Sequence, residues 1–199
     1  MVVEIRKATP QDGAQAVPLL LESGRDLLVS IFGLGSAKRA ADFLHDTWVR
    51  RQGQYGSDNH WVATCNNDIA GLITCWHDGL PADFDRQTLA SITEFYGIDT
   101  AMDVVMRSQQ VTVALNPPEK LELGIGHLAV NSVYQRAGIG SMLVRFMEQQ
   151  ARELKKLALV LDVHQANTGA LRFYSRQGFE VRQTLSSFIQ MGKGIAPAT

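Results

Sequence analysis

Gln135-Arg136-Ala137-Gly138-Ile139-Gly140-Ser141 is the stretch of this 199-residue chain whose residue types and spacing point most directly to chemistry. It lies between a run of strand character and a long amphipathic helix. In that setting Gly138 and Gly140 let the backbone turn sharply, so that successive N–H groups at the helix start converge on one spot. Converging N–H groups and the positive end of the helix dipole hold an anion such as a pyrophosphate without any basic side chain. The same residues also fit an ordinary strand-to-helix corner. Rival phosphate motifs fail on context. No Gly-Lys-Ser/Thr occurs, and Gly192-Lys193-Gly194 falls in the C-terminal tail. Gly124-Ile125-Gly126-His127-Leu128-Ala129 spells a dinucleotide fingerprint but sits inside a strand instead of opening a helix.

Other polar residues gather on two predicted strands. Glu122 and His127 belong to LELGIGHLAV (121–130), while Asp162 and His164 end the buried strand LALVLDV (157–163) on a shared face. No His, Cys or carboxylate set recurs at metal-ligand spacing, so no metal is expected. Cys65 and Cys75 fall at opposite ends of a hairpin, too far apart for a disulfide, and read as small core residues.

The surrounding elements follow from periodicity. Residues 2–6 alternate as a first strand, and Thr9-Pro10 starts a helix running to about residue 24. Ala40, Phe43, Leu44, Thr47 and Trp48 recur at helical spacing, predicting a second helix over 36–51. HWVATC (60–65) and DIAGLITCW (68–76) flank an Asn-Asn-Asp turn and predict a hairpin. The stretch 79–118, with Pro81, Gly97 and Pro117-Pro118, reads as a helical insertion with pieces near 86–95 and 99–110. Ile139, Met142, Leu143, Phe146 and Met147 mark one face of a helix over 138–154. A helix over 168–177 stops at Gly178, and FEVRQTLSSFIQM supplies the final strands.

Length suits one domain over 1–199. A hydrophobic fraction of 45%, a charged fraction of 20% and a net charge of −1 describe a globular protein without the basic field that nucleic acid or an acidic membrane would attract. The opening MVVEIRKATPQD becomes charged before a signal peptide could form, and no apolar run would span a bilayer, so the expected compartment is the cytoplasm. The final strands and C-terminal apolar residues leave a homodimer open.

The stretch LAVNSVYQRAGIGSMLVRF resembles the acyl-CoA-binding segment of the GNAT N-acetyltransferase superfamily, whose signature is Gln/Arg-x-x-Gly-x-Gly/Ala. Gln135, Gly138 and Gly140 fill it. A second block, LDVHQANTGALRFYSRQGFE, is similar to the family's next strand and helix, with Asn167, Ala170, Tyr174, Gly178 and Phe179 in order. The resemblance implies an α/β fold with a mixed, mostly antiparallel sheet flanked by helices, splayed between the strands at 121–130 and 157–163. It places acetyl-CoA in that splay, with no metal. Leu128, Ala129 and Val130 would line the pantetheine, residues Arg136, Ala137, Gly138, Ile139, Gly140 and Ser141 the pyrophosphate, and Asn167 the arm's other side. Arg136 stands where many members have glycine.

The same resemblance puts the Tyr174 hydroxyl beside the thioester sulfur as proton donor to the leaving thiolate. The position where many members carry a basic carboxylate or histidine is Gly124 here, which leaves Glu122, His127, Asp162, His164 or water as the base. The implied activity is acetyl transfer to a primary amine of a small molecule or peptide. The alternative is a non-catalytic acyl-CoA sensor. Asp78, Asp83, Asp85, Glu94, Asp99 and Asp103 make the 79–118 region acidic, which suits either a cationic acceptor or a solvated surface.

Overall fold

A computed structural model describes residues 2–113 and 115–196. Strand β1 (Glu4–Lys7) leads through a 3-10 turn at Pro10–Asp12 into helices α1 (Gly13–Glu22), α2 (Arg25–Phe32) and α3 (Ala37–Arg50). The hairpin β2 (His60–Cys65) and β3 (Asp68–Trp76) follows, then α4 (Phe84–Tyr96) and α5 (Ile98–Thr112). The remaining elements are β4 (Glu122–Val130), α6 (Ile139–Glu153), β5 (Ala158–His164), α7 (Thr168–Arg176), β6 (Glu180–Leu185) and β7 (Phe188–Gly194).

The strands form one seven-stranded sheet in the order β1-β2-β3-β4-β5-β7-β6. Only β4 and β5 run parallel. The hairpin turn uses Asn66 and Asn67 with φ of 51° and 67°, the left-handed pair that a tight two-residue turn requires and asparagine tolerates best. Alternation along the strands then sorts the side chains. Val62 and Leu72 join Leu20, Phe32, Phe43 and Trp48 under α1–α5, whereas Ala63, Ile73, Leu123, Leu159, Leu161 and Met191 pack with Leu143 and Met147 of α6.

One helix was not expected from the sequence pattern. In α2, Leu28, Ile31 and Phe32 give a buried stripe at helical spacing, but the element is short and separated from α1 only by Ser23 and Gly24. Its apolar residues become helical by packing on the α3–α5 cluster, where Phe32 stacks on Phe43 at 4.5 Å. The predicted pair of helices in the 79–118 stretch is present as α4 and α5.

Candidate active site

The central feature is a split in the sheet. β4 and β5 pair only through Glu122–Gly124 and Ala158–Val160. Beyond that point β4 stays with β3, while β5 pairs with β7 as far as His164. A bulge helps to separate them. Leu72 faces Ala129 and Thr74 faces Gly126, so His127 and Leu128 together oppose Ile73, with His127 at φ 46°. Such a bulge bends its strand. Among the described residues, the β5-facing edge of residues 125–130 has no strand partner, leaving backbone groups of Leu128 and Val130 free toward the gap.

At the open end of the gap, the Asn131 side chain accepts from Val133 N–H at 3.1 Å and starts a 3-10 turn over Ser132–Tyr134. Tyr134 donates to Asp68 at 2.9 Å and anchors the turn to the hairpin tip. Arg136 and Gly138 then take φ of 63° and 82°, and α6 begins. The first α6 turn has the usual orphan donors. Among the described residues, the N–H groups of Arg136, Gly138, Ile139, Gly140 and Ser141 have no protein acceptor, and Met142 N–H is the first to find one, at Gly138 O. Left-handed residues alternating with an ordinary one make a concave array of N–H groups suited to an anion. Gln135, Arg136, Ala137 and Gly138 are exposed, while Ile139 anchors the corner in the core. Gly140 serves close packing, since a Cβ there would lie 3.2 Å from the Phe173 ring. The positive φ of Arg136 also explains, physically, why glycine suits that position.

On α7, Tyr174 is buried against Phe173 and Phe179, in the same apolar cluster as Leu143 of α6. Burial pushes its phenol up from the usual value, so the hydroxyl stays protonated at neutral pH. Asn167 is the N-cap of α7, its side chain accepting from Ala170 N–H at 3.0 Å. That bond uses the side-chain oxygen and leaves the amide N–H₂ without a hydrogen bond among the described residues.

Residues 28–179 match the sequence profile of the acetyltransferase (GNAT) family. The chain belongs to that family. No curated protein matches the chain in sequence. Similar solved structures include an acetyltransferase at 20% identity and TM-score 0.65, covering 97% of this chain and 100% of that one. An N-acetyltransferase from Staphylococcus aureus Mu50 is 16% identical with TM-score 0.69, covering 95% and 98%. The PaiA N-acetyltransferase from Thermoplasma acidophilum in complex with coenzyme A is 18% identical with TM-score 0.54, covering 98% and 99%. At these identities the structural likeness speaks to the fold, and the family match identifies a GNAT acetyltransferase, an enzyme class that transfers acyl groups from acetyl-CoA. Among the described residues, no helix is long and apolar enough to cross a membrane.

In this GNAT acetyltransferase the candidate bases occupy different settings. Glu122 is buried at the closed end of the gap, accepting from Arg182 Nη1 at 2.5 Å and from Glu119 N–H at 3.0 Å. Two donors already hold its carboxylate. At Gly124 no side chain fits: a Cβ would sit 2.5 Å from Pro118 Cγ, because the segment before β4 closes over that position. His127 is turned by the bulge toward the end of α1, where Nδ1 lies 2.9 Å from Ser23 Oγ. Ser23 donates its own proton to Leu20 O at 2.6 Å, so Nδ1 of His127 is the donor and Nε2 carries the lone pair. Burial lowers the His127 pKa to about 4 and keeps the ring neutral.

Asp162 and His164 do share the sheet face away from α6 and α7, as Leu161 and Val163 occupy the other. His164 is exposed and packs edge-on to Phe188, with Nδ1 accepting from Ala166 N–H at 3.2 Å. Asp162 is half-buried, with Oδ1 lacking any partner among the described residues. Burial pushes its carboxyl up to about 6, while the Gln190 amide acts in the opposite direction. Of the acidic residues in and before α4 and α5, Asp78 pairs with Lys156, Asp83 with Arg86 and Glu94 with Arg50. Half of that acidic character is therefore neutralised locally.

Proposed function

We propose that this enzyme transfers an acetyl group from acetyl-CoA to a primary amine by direct attack, with Tyr174 protonating the departing CoA thiolate. The observation that carries this reading is the sheet gap together with unpaired N–H groups at the start of α6 and, on α7, a buried, protonated phenol next to Phe173, whose ring packs against Gly140. Acetyl-CoA supplies the activated thioester. Leu128, Ala129 and Val130 would hold the pantetheine by strand-like backbone bonds, and residues 135–141 would hold the pyrophosphate through backbone N–H groups and the helix dipole. Asn167 would flank the arm from α7. Tyr174 donates its proton as charge develops on sulfur, and the phenolate is refilled from the acylated nitrogen. Glu122, committed to Arg182, would position that arginine across the sheet instead of abstracting a proton.

The alternative, a non-catalytic acyl-CoA sensor, draws support from the closed space at Gly124. Against it stands a Tyr174 hydroxyl with no protein acceptor among the described residues, a state suited to a donor awaiting a substrate. The test is amine-dependent CoA release, followed by a thiol reagent and mass analysis of the amine. N-acetylated product supports the enzyme reading. Acetyl-CoA binding without release in the presence of any amine supports the sensor.

A further inference from the structure

On the sheet face opposite Tyr174, a polar floor runs from β4 to the edge strand, and nothing so far assigns it a role. Asp162, Gln190 and Gln183 lie in one row, since Asp162 pairs in register with Gln190 and Gln190 with Gln183. A bulge between Val181 and Gln183 leaves Arg182 as the extra residue of β6. Its side chain crosses over Gly192, where any Cβ would lie 2.5 Å from Arg182 Cδ, and reaches Glu122. The lack of a Cβ at Gly192 leaves room for that crossing. The floor opens into a recess of about 300 Å³ lined by Asn116, Pro117, Glu119, Glu122, Arg182, Gln183 and Gln190.

We propose, building on the acetyl-transfer reading above, that Asp162 is the residue that receives and deprotonates the acceptor, and that the recess beside it takes a small polar amine bearing hydroxyl or amide groups. Four observations converge. Asp162 follows the last β4–β5 pair by two residues, so it stands where the gap opens. It faces the side from which an acceptor can approach without crossing the α6–α7 side. Its Oδ1 has no partner among the described residues although the atom is buried. Finally, Gln183 donates to Gln190 Oε1 at 2.9 Å, which fixes the Gln190 amide with its N–H₂ end toward other acceptors. One carboxylate oxygen is thereby left without a protein partner, next in register to Gln190, which itself lines the recess. Amide groups, the Glu119 carboxylate and the Glu122–Arg182 ion pair line the recess, so an apolar amine would strand polar groups there, whereas a hydroxylated one satisfies them.

The proton balance closes. The acceptor arrives as R–NH₃⁺, and Asp162 takes one proton. The nitrogen lone pair forms the C–N bond as the C–S bond breaks. Nitrogen then gives up a second proton, which replaces the one that Tyr174 passes to sulfur, and Asp162 releases its proton to solvent. On the sheet face that Asp162 shares, the charged or titratable groups are His164 on its own strand and Glu122 on β4 with its partners Arg182 on β6 and Glu119 before β4, while His127 on the β4 bulge lies against Ser23. Glu122 and Arg182 compensate each other, and His127 is neutral, so a single ionisation should dominate the acid limb.

The test compares wild type with Asp162→Asn, which is isosteric, using glucosamine, ethanolamine and glycinamide as polar acceptors and phenethylamine as the apolar one. Wild type should acetylate a polar amine, with kcat/KM rising through pH 6. Asp162→Asn should lose about 100-fold at pH 7, keep its acetyl-CoA affinity, and recover as pH approaches the amine's own pKa. Equal kcat/KM for Asp162→Asn and wild type at pH 7 would overturn the assignment of Asp162. Preference for phenethylamine, or acetyl-CoA binding with no polar amine used, would overturn the acceptor class. Failure of wild type to bind acetyl-CoA would instead remove the acetyl-transfer reading itself, and the proposal with it.

Discussion

Gly138 separates the geometry of the anion cradle from its charge. Its φ of 82° and ψ of 4° belong to the left-handed region, and a Cβ built there meets nothing within 4 Å. A side chain at this position is therefore opposed by the backbone and not by crowding. The backbone cost is about 1–2 kcal/mol for an ordinary L-residue and less for asparagine or aspartate. For a chain of this size, 1 kcal/mol corresponds to a Tm change of about 2–4 °C. Gly138→Asn and Gly138→Asp should then both fold, with similar small losses in Tm. They differ in one charge. A carboxylate about 5 Å from a pyrophosphate charge, at an effective dielectric constant of about 20, is repelled by about 3 kcal/mol. That corresponds to about 100-fold in affinity. Acetyl-CoA titrations by calorimetry should show Gly138→Asp binding at least about 100-fold more weakly than Gly138→Asn at low salt, with the gap narrowing at high salt. Equal affinity in two folded variants would place the pyrophosphate elsewhere.

Tyr174→Phe should lower kcat by about 100-fold or more, with acetyl-CoA affinity retained. Its Tm should stay within a few degrees, because the ring packing persists and no protein partner loses a bond. Asp162→Asn should raise stability at pH 7. The folded carboxyl titrates near 6 against about 3.8 unfolded, so the native state loses stability as pH rises through that window. Removing the charge should restore about 1–2 kcal/mol above pH 6, or about 2–8 °C in Tm, and nothing below pH 4. His127 has the opposite sign. Its folded pKa of about 4 lies below the unfolded value, so unfolding takes up a proton and stability falls as pH drops from 6.5 toward 4, by about 2–3 kcal/mol at most. His127→Asn, which tolerates φ of 46°, should flatten that part of the pH-stability curve as followed by thermal unfolding.

Features governed by local pattern were readable from the sequence. The Asn66-Asn67 turn, the amphipathic face of α6 and the glycine stop at Gly178 each depend on residues within a few positions of one another. The corner at Gly138 was legible for the same reason, since it and the helix it opens are contiguous. What escaped depends on distant partners. Glu122 meets Arg182 only because β6 bulges and Gly192 leaves room for the crossing, three conditions scattered along the chain. The closure of Pro118 over Gly124 and the Ser23 bond that sets the His127 tautomer are equally nonlocal. Helix α2 sits between these cases, with a helical stripe too brief to stand out before its packing partners are known.

The central claim, that the gap between β4 and β5 and the start of α6 bind acetyl-CoA, is tested most directly by thermal unfolding with and without that ligand. Binding to the folded state alone at 100 times Kd adds about 2.7 kcal/mol, which for a chain of this size is a rise of about 5–11 °C in Tm. The account predicts that rise with acetyl-CoA and its absence with ATP or NAD at the same concentration. An unchanged Tm at millimolar acetyl-CoA, or an equal shift with either nucleotide, would contradict it.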